Sequence, residues 1–167
     1  MTDPHAQARA LTAELRAQLW TVVLGTAAAD GTPDASVAAA LLDLDGAFVI
    51  YNSALAAHTR NLRVNPRASV LLTTAESSIR SAWARPRLSF ACLSEPVARD
   101  AEMHQRLIAA FREKFGATIE LLATLPDFQF YRLRPQSGRV VAGFGVAFNV
   151  DPLDWSQLTP IGASPAR

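Results

Sequence analysis

The chain has 167 residues, of which 50% are hydrophobic and 19% are charged, and its formal net charge is +1. This length fits a single domain over residues 1–167, and the composition excludes a disordered chain. A charge balance so close to neutrality also argues against a nucleic-acid-binding domain, since such domains are usually strongly basic.

Other features of the sequence bear on where the protein resides. The longest uncharged apolar segment, residues 17–29, is shorter than the roughly 20 residues that a membrane-spanning helix needs. The N-terminal residues show no secretory signal, and the single cysteine, Cys92, cannot form an internal disulfide. We therefore expect a cytoplasmic protein with no membrane partner.

The first third of the chain predicts a helix followed by antiparallel strands. Asp3 and Pro4 are typical of a helix start, so the N-terminal helix is placed within residues 1–18. Strands are then predicted at residues 20–28, 35–44 and 47–51. The turns between them, at Asp30-Gly31 and Asp45-Gly46, are hairpin signals, so the three strands form a β-meander.

The rest of the chain predicts further strands separated by helices. The expected helices are a short one at residues 58–64 and a long one capped by Asp100 and ended by Gly116, with a further helical segment at 119–125. Strands are expected at 68–74, 88–98, 128–133 and 139–150, with a turn at 135–138 and a loose tail at 152–167. About six antiparallel strands predict a mainly β fold, a closed barrel with flanking helices.

The segment from Tyr51 to Leu62 carries the strongest chemical signal, because it leads from a strand into a helix start. Backbone N–H groups at such a point favour anions, and the segment adds polar side chains that suit a phosphate: Ser53, His58, Thr59 and Arg60. The alternative is that Thr59 only caps the helix and that His58 is a surface residue.

Several motifs together resemble the split-barrel family of pyridoxamine-phosphate oxidase. The motifs are Asp-Gly-x-Pro at 30–33 with Ser36 following, Ser53 with His58-Thr-Arg-Asn-Leu, Asn65-Pro-Arg-Ala-Ser-Val-Leu-Leu, and the strand from Arg87 to Glu95-Pro-Val. The resemblance implies a homodimer that binds FMN at the subunit interface. The flavin ring would lie along the second and third strands, at positions matched by Ser36, Val37, Tyr51 and Asn52. Arg87, or Trp83 and Arg85 in the preceding loop, would close the site from the other subunit.

The chain is most similar to the heme-utilisation branch of that family. His58-Thr59-Arg60-Asn61 replaces a lysine-containing segment, and Gly143-Phe144-Gly145-x-Ala147 stands near the end of the barrel. Two departures matter. The second strand has no Lys or Arg, which argues against oxidation of pyridoxamine phosphate. Heme-degrading relatives use a histidine near the C-terminus as iron ligand, whereas no histidine follows His104 here.

The resemblance therefore favours an FMN-binding protein, a flavin-dependent oxidoreductase of unknown substrate and with no catalytic residue assigned. One alternative is a heme-binding or heme-degrading utilisation protein of the same fold. Another is a non-catalytic flavin-binding module. No metal-ion site is expected from the scattered histidines and one cysteine. Trp83 among the arginines of residues 80–87 could suggest nucleic-acid binding, but the overall charge argues against it.

Overall fold

The computed structural model describes residues 3–79 and 81–161. Its helices are α1 (Pro4–Ala17), α2 (Ala57–Val64), α3 (Glu102–Phe115) and α4 (Thr118–Thr124). Its strands are β1 (Thr21–Ala27), β2 (Pro33–Leu42), β3 (Phe48–Ser53), β4 (Arg67–Thr73), β5 (Arg87–Pro96), β6 (Phe128–Gly143), β7 (Val146–Val150) and β8 (Leu158–Pro160). Two single-turn 3-10 helices, Glu76–Ser78 and Ala82–Ala84, lie between β4 and β5. No helix of the described ranges is long and apolar enough to cross a membrane.

The strands form one antiparallel sheet that closes on itself. Its order is β3-β2-β1-β4-β5-β6-β7-β8, and an additional pairing of β3 with β6 closes the first six strands into a barrel. β7 and β8 extend the sheet from β6. Closure removes the exposed edges that an open six-stranded sheet would have. The predicted fold class, a mainly β barrel with flanking helices, is confirmed.

Two hydrophobic clusters stabilise this arrangement. The interior of the barrel holds the larger one, to which alternate strand residues contribute, as Val22 and Leu24 do on β1. The second cluster lies outside the barrel wall, where Val49, Tyr51 and Phe130 of β3 and β6 pack beneath Leu107 and Phe111 of α3. The helices α3 and α4 therefore cover the outer side of β3 and β6.

Of the two predicted helix caps, Asp3 is present at the start of α1, whereas Asp100 does not cap α3. The Asp3 side chain accepts a hydrogen bond of 2.9 Å from the His5 N–H at the start of α1, as predicted. Asp100 does not cap α3, because the chain forms a turn there and the helix starts after Ala101 without a side-chain cap. Gly116 ends α3 with φ of +79°, which confirms that prediction and suits a residue without Cβ.

The long strand β6 is the first difference from the sequence-based expectation. A turn was predicted at residues 135–138, whereas β6 runs without interruption from Phe128 to Gly143. The residues typical of turns have other roles here. Pro135 lies at a β-bulge, where the register with β5 shifts at Cys92. Gly138 lies opposite Phe90, whose ring occupies the space that a Cβ would need. The chain turns instead at Phe144 and Gly145.

The C-terminal segment is the second difference. A loose tail was expected from residue 152, but this expectation is wrong for residues 152–161. Trp155 is only 4% exposed, and its ring lies 4.9 Å from that of Phe90 and 5.7 Å from that of Phe48. β8 then pairs with β7. Residues 162–167 of the expected tail lie outside the described residues.

A buried arginine links three parts of the barrel wall. Arg132 on β6 is 3% exposed and donates to three carboxylates, those of Asp43 at 2.6 Å, Asp45 at 2.7 Å and Glu95 at 2.8 Å. Asp43 also accepts two backbone hydrogen bonds within the turn between β2 and β3. Arg132 therefore holds this turn and β5 against β6.

Candidate functional site

The outer sides of five strands form one exposed face: those of β2, β1, β4 and β5, and part of β6. Since side chains alternate along a strand, every second residue of these strands points outward. Pairing places these residues in two complete rows across the five strands, and in a third row whose β2–β1 part and β4–β5–β6 part lie on either side of a position where β1 and β4 are not paired. The rows, from β2 to β6, are Ala35-Gly25-Ser69-Ala91-Ser137, Val37-Val23-Leu71-Ser89-Arg139, and Ala39-Thr21-Thr73-Arg87-Val141. We call this set, with Arg67 at its edge, the outer face.

The outer face is apolar in its centre. Val37 is 65% exposed, Val23 is 36% exposed, and Trp20 beside them is 55% exposed. At Gly25 the face is tightly packed, since a Cβ there would collide with the Ser69 hydroxyl. Contiguous exposed apolar surface of this kind is typical of an interaction or ligand-binding surface.

Two clefts lie along the outer face. One, of about 680 Å³, is bordered by Gly25, Pro33, Ala35, Arg67 and Ser69 among others. The other, of about 210 Å³, lies at the far end beside Trp20 and is lined by residues of α1, β1, β2 and β4. The face thus offers an apolar centre with a recess at each end.

The charged residues of the outer face as defined are all arginines, and Asp34 lines the larger cleft at its edge. Arg67, Arg87 and Arg139 are exposed on it, and the face as defined contains no acidic residue. None of these three guanidinium groups pairs with a carboxylate of residues 3–79 or 81–161. Unpaired arginines can form paired hydrogen bonds with a carboxylate or a phosphate.

The predicted phosphate segment is largely occupied by contacts within the chain. The Ser53 hydroxyl donates a short hydrogen bond to the carboxylate of Asp127 and accepts one of 3.1 Å from the Leu55 N–H. The Arg60 guanidinium donates to the carbonyl oxygen of Leu55. The negative charge of Asp127 beside Ser53 makes this point less favourable for a phosphate.

The predicted flavin contacts on β2 and β3 lie on opposite sides of the barrel wall. Val37 is exposed on the outer face, whereas the Ser36 hydroxyl is buried and has no hydrogen-bond partner in the structure. Tyr51 packs on Phe130 in the second cluster, and burial raises the pKa of its hydroxyl. The Asn52 side-chain nitrogen is buried and without a partner. The structure therefore does not bring Ser36, Val37, Tyr51 and Asn52 together on one surface.

His58 and Thr59 lie in the first turn of α2, where their side chains are partly or fully enclosed. The Thr59 hydroxyl and the Nε2 atom of His58 are buried without hydrogen-bond partners. Burial lowers the pKa of His58, and the negative charge of Asp34 opposes this effect. His58 is therefore a neutral imidazole near pH 7.

Arg87 lies far from the α2 segment within one chain. It pairs with Thr73 at the end of β4, whereas α2 leads into the beginning of that strand at Arg67. The six residue steps from Arg67 to Thr73 span about 20 Å of extended strand. In the loop before Arg87, the Arg85 side chain contacts Glu76 at 2.9 Å, and Trp83 is 88% exposed. Arg87 and the α2 segment could meet only across two copies of the chain.

Sequence reasoning missed Asp127 and most of the outer face. Asp127 follows a helix and gives no motif, and its contact with Ser53 joins residues 74 positions apart. The alternation of small and apolar residues on β1, β2 and β4 was a usable signal for a two-sided strand. It was interpreted only as evidence for strands.

These features define the class of protein: a closed antiparallel barrel of the split-barrel type with an exposed, positively charged outer face. A family model for pyridoxamine 5'-phosphate oxidase matches residues 9–142. The chain belongs to the pyridoxamine 5'-phosphate oxidase family.

Among its relatives is the heme oxygenase HutZ of Vibrio cholerae serotype O1, which is 39% identical over 137 residues, covering 82% of this chain and 77% of HutZ. The crystal structure of HutZ, a heme storage protein from Vibrio cholerae, matches with a TM-score of 0.71 at 35% identity, covering 75% of this chain and 87% of that one. The resemblance to the heme-utilisation branch is confirmed.

Two further structures extend the comparison. ChuZ of Campylobacter jejuni has a TM-score of 0.78 at 25% identity, and the match covers 93% of this chain but 63% of ChuZ. A heme-binding protein of Mycobacterium smegmatis has a TM-score of 0.72 at 25% identity, with 93% of this chain and 61% of that protein covered. Both of these relatives are longer than the barrel they share with this chain.

Proposed function

We propose that the protein is a heme-binding protein that holds heme on its outer face, between two copies of the chain in a homodimer. The observation that carries the proposal is the outer face itself, which combines an exposed apolar floor with three unpaired arginines and no acid. A porphyrin is flat and apolar with two carboxylates at one edge, so it matches this distribution. HutZ and the Mycobacterium smegmatis protein, both related to heme by name, support the choice.

The residues of the chain fit the porphyrin better than they fit a histidine-ligated iron. The Nε2 atoms of His58 and His104 are buried. The ring of His5 lies 4.3 Å from that of Phe148, and the sequence has no histidine after His104. The outer face as defined contains no histidine, so it offers no imidazole ligand for iron. The proposal accordingly concerns binding of heme, and no step of iron chemistry is derived.

FMN is the competing ligand, since the family resemblance implied it. Three features make it the weaker candidate in this chain. The Ser53 hydroxyl is already hydrogen-bonded to the Asp127 carboxylate, the Thr59 hydroxyl is buried, and Tyr51 belongs to the second hydrophobic cluster. An FMN phosphate at this segment would have to displace a carboxylate that already binds the predicted serine.

A titration of the purified protein with heme and, separately, with FMN tests the proposed function. We expect heme to shift the Soret absorbance with saturation, and FMN fluorescence to change much less at equal concentration. Replacing both Arg87 and Arg139 with Ala should weaken heme binding at least about tenfold, because each arginine contributes a charge-assisted hydrogen bond.

The matched control replaces two arginines outside the outer face. Arg106 and Arg112 on α3 are exposed and pair with Glu102 and Glu120, so their replacement with Ala removes the same charge elsewhere. This control should bind heme like the unmodified protein. Tighter binding of FMN than of heme, or equal heme affinity in both double variants, would overturn the proposal.

The homodimer makes a separate prediction. Val37→Glu should weaken self-association at least about a hundredfold, because burying an unpaired carboxylate costs several kcal/mol. The fold should be unaffected, since Val37 is 65% exposed in the single chain. Leu121→Glu on α4 is the control, because Leu121 is also 65% exposed but lies outside the outer face. Sedimentation velocity measures both, and a Val37→Glu protein that stays dimeric would exclude this interface.

A further inference from the structure

A further recess, separate from the two clefts of the outer face, opens beside α2 at one mouth of the barrel. It has a volume of about 440 Å³, which is within the range of small-molecule sites. Its lining combines α2 and the following loop with the ends of β5 and β6. The lining residues are Leu62, Arg63, Pro66, Ser94, Pro96, Gln129 and Tyr131. We call this recess the barrel-mouth pocket.

Tyr131 contributes a hydroxyl group to the lining of the barrel-mouth pocket. Tyr131 is only 1% exposed, and its ring belongs to the barrel interior. Its hydroxyl makes no hydrogen bond to any residue in the described ranges and, unlike the Ser94 hydroxyl, it is not sealed from solvent. Burial raises the pKa of Tyr131, so the hydroxyl stays protonated and can act as a donor near pH 7.

Other unpaired polar groups surround the same mouth of the barrel. The Ser94 hydroxyl and the Asn52 side-chain nitrogen are buried without partners. Asn52 is paired across the sheet with Gln129, so the two side chains lie on the same side of the wall. Buried donors without a protein partner require a ligand or ordered water to satisfy them.

The charge at the pocket is positive. Arg63 on α2 is exposed, and its positive charge acts on the Tyr131 hydroxyl and lowers that group's pKa against the effect of burial. Its guanidinium pairs with no carboxylate of the described residues. Glu95, which lies between the lining residues Ser94 and Pro96 in sequence, contacts Arg132 and Arg134 on the outside of the wall.

From this arrangement we infer that the barrel-mouth pocket binds a small organic acid. Its carboxylate would lie between the Arg63 guanidinium and the hydroxyls of Tyr131 and Ser94. Its apolar part would lie against Leu62, Pro66 and Pro96. The combination of one unpaired cation, neutral donors and an apolar wall favours a carboxylate with a hydrocarbon portion over a bare inorganic anion.

Benzoate is a suitable probe, with inorganic phosphate as the comparison anion, and both are followed by amide chemical shifts of the full chain. We expect saturable shifts with benzoate at residues 62–66, 94–96 and 129–131, and much weaker effects with phosphate. Arg63→Gln should weaken benzoate binding about tenfold, because it removes the charged partner of the carboxylate. Tyr131→Phe keeps the ring and removes only the hydroxyl, and it should weaken binding severalfold.

Arg106→Gln on α3 provides the matched control, because its side chain is 69% exposed and pairs only with Glu102. This variant should bind benzoate with unchanged affinity. The inference is wrong if benzoate gives no saturable shift, if phosphate binds more tightly than benzoate, or if Arg63→Gln binds benzoate like Arg106→Gln. The result does not depend on heme binding, since the pocket and the outer face share no residue.

Discussion

Replacing Trp155 with Ala should destabilise the protein by about 3–5 kcal/mol, as expected for removal of a large buried aromatic side chain. Trp155 is 4% exposed and packs against the rings of Phe48 and Phe90, both of which lie in the barrel cluster. The Arg16 guanidinium lies 5.0 Å from the centre of the Trp155 ring, and the Thr12 hydroxyl donates to the Trp155 carbonyl oxygen at 3.1 Å. Its loss would leave a cavity and also weaken the contact with α1.

Urea unfolding followed by circular dichroism measures this effect. Leu153→Ala is the control, because Leu153 is 71% exposed two residues earlier and should change the free energy of unfolding by less than about 0.5 kcal/mol. A Trp155→Ala protein as stable as the Leu153→Ala protein would show that the segment is loose after all. A large difference would establish residues 152–161 as part of the barrel.

The parts of the fold that were predicted correctly depend on neighbouring residues. The two Asp-Gly turns appear where expected, with φ of +86° at Gly31 and +80° at Gly46, because tight hairpins need residues that tolerate positive φ. Leu107 and Phe111 are the buried residues of α3, and their spacing of four residues is that of one helix face. Turn chemistry and periodicity are local properties, so a single sequence contains them.

The parts that were missed depend on residues far apart in the chain. Pro135 and Gly138 are typical turn residues, and only the pairing of β6 with β5 shows that one lies at a bulge and the other beneath the Phe90 ring. Trp155 stands in a segment of turn-forming residues, and its burial depends on Phe48 and Phe90 being nearby. Tertiary contacts override local preference at each of these positions.

The candidate site was only partly predictable for the same reason. The motif from Ser53 to Arg60 located a polar strand-to-helix junction, but Asp127 decides what the Ser53 hydroxyl binds. Ser36 and Val37 were grouped because the family resemblance placed the flavin ring along the second strand, although adjacent strand residues face opposite sides. The outer face became visible only when the pairing register aligned single residues from five strands.

The buried charge network around Arg132 gives the second large stability effect. Arg132→Met should destabilise the protein by about 3 kcal/mol, because it leaves the carboxylates of Asp43, Asp45 and Glu95 without their shared cation. The side chain of Asp43 is only 14% exposed, so its unpaired charge is the most costly. Solvent screens the other two carboxylates, whose side chains are 68% and 43% exposed, which keeps the effect near the lower end of that expected for a broken buried pair.

Arg134→Met is the matched control, because Arg134 binds Glu95 at 2.8 Å from the same strand but its side chain is 51% exposed. Its loss should cost no more than about 1 kcal/mol. Adding Asp43→Asn to Arg132→Met should recover part of the lost stability, because it removes the least exposed of the unpaired charges while its amide oxygen can still accept the hydrogen bonds of the turn. Urea unfolding of the four proteins measures these differences. Equal destabilisation by Arg132→Met and Arg134→Met would mean that the network acts as ordinary surface ion pairs, and that the turn between β2 and β3 is held by its backbone hydrogen bonds alone.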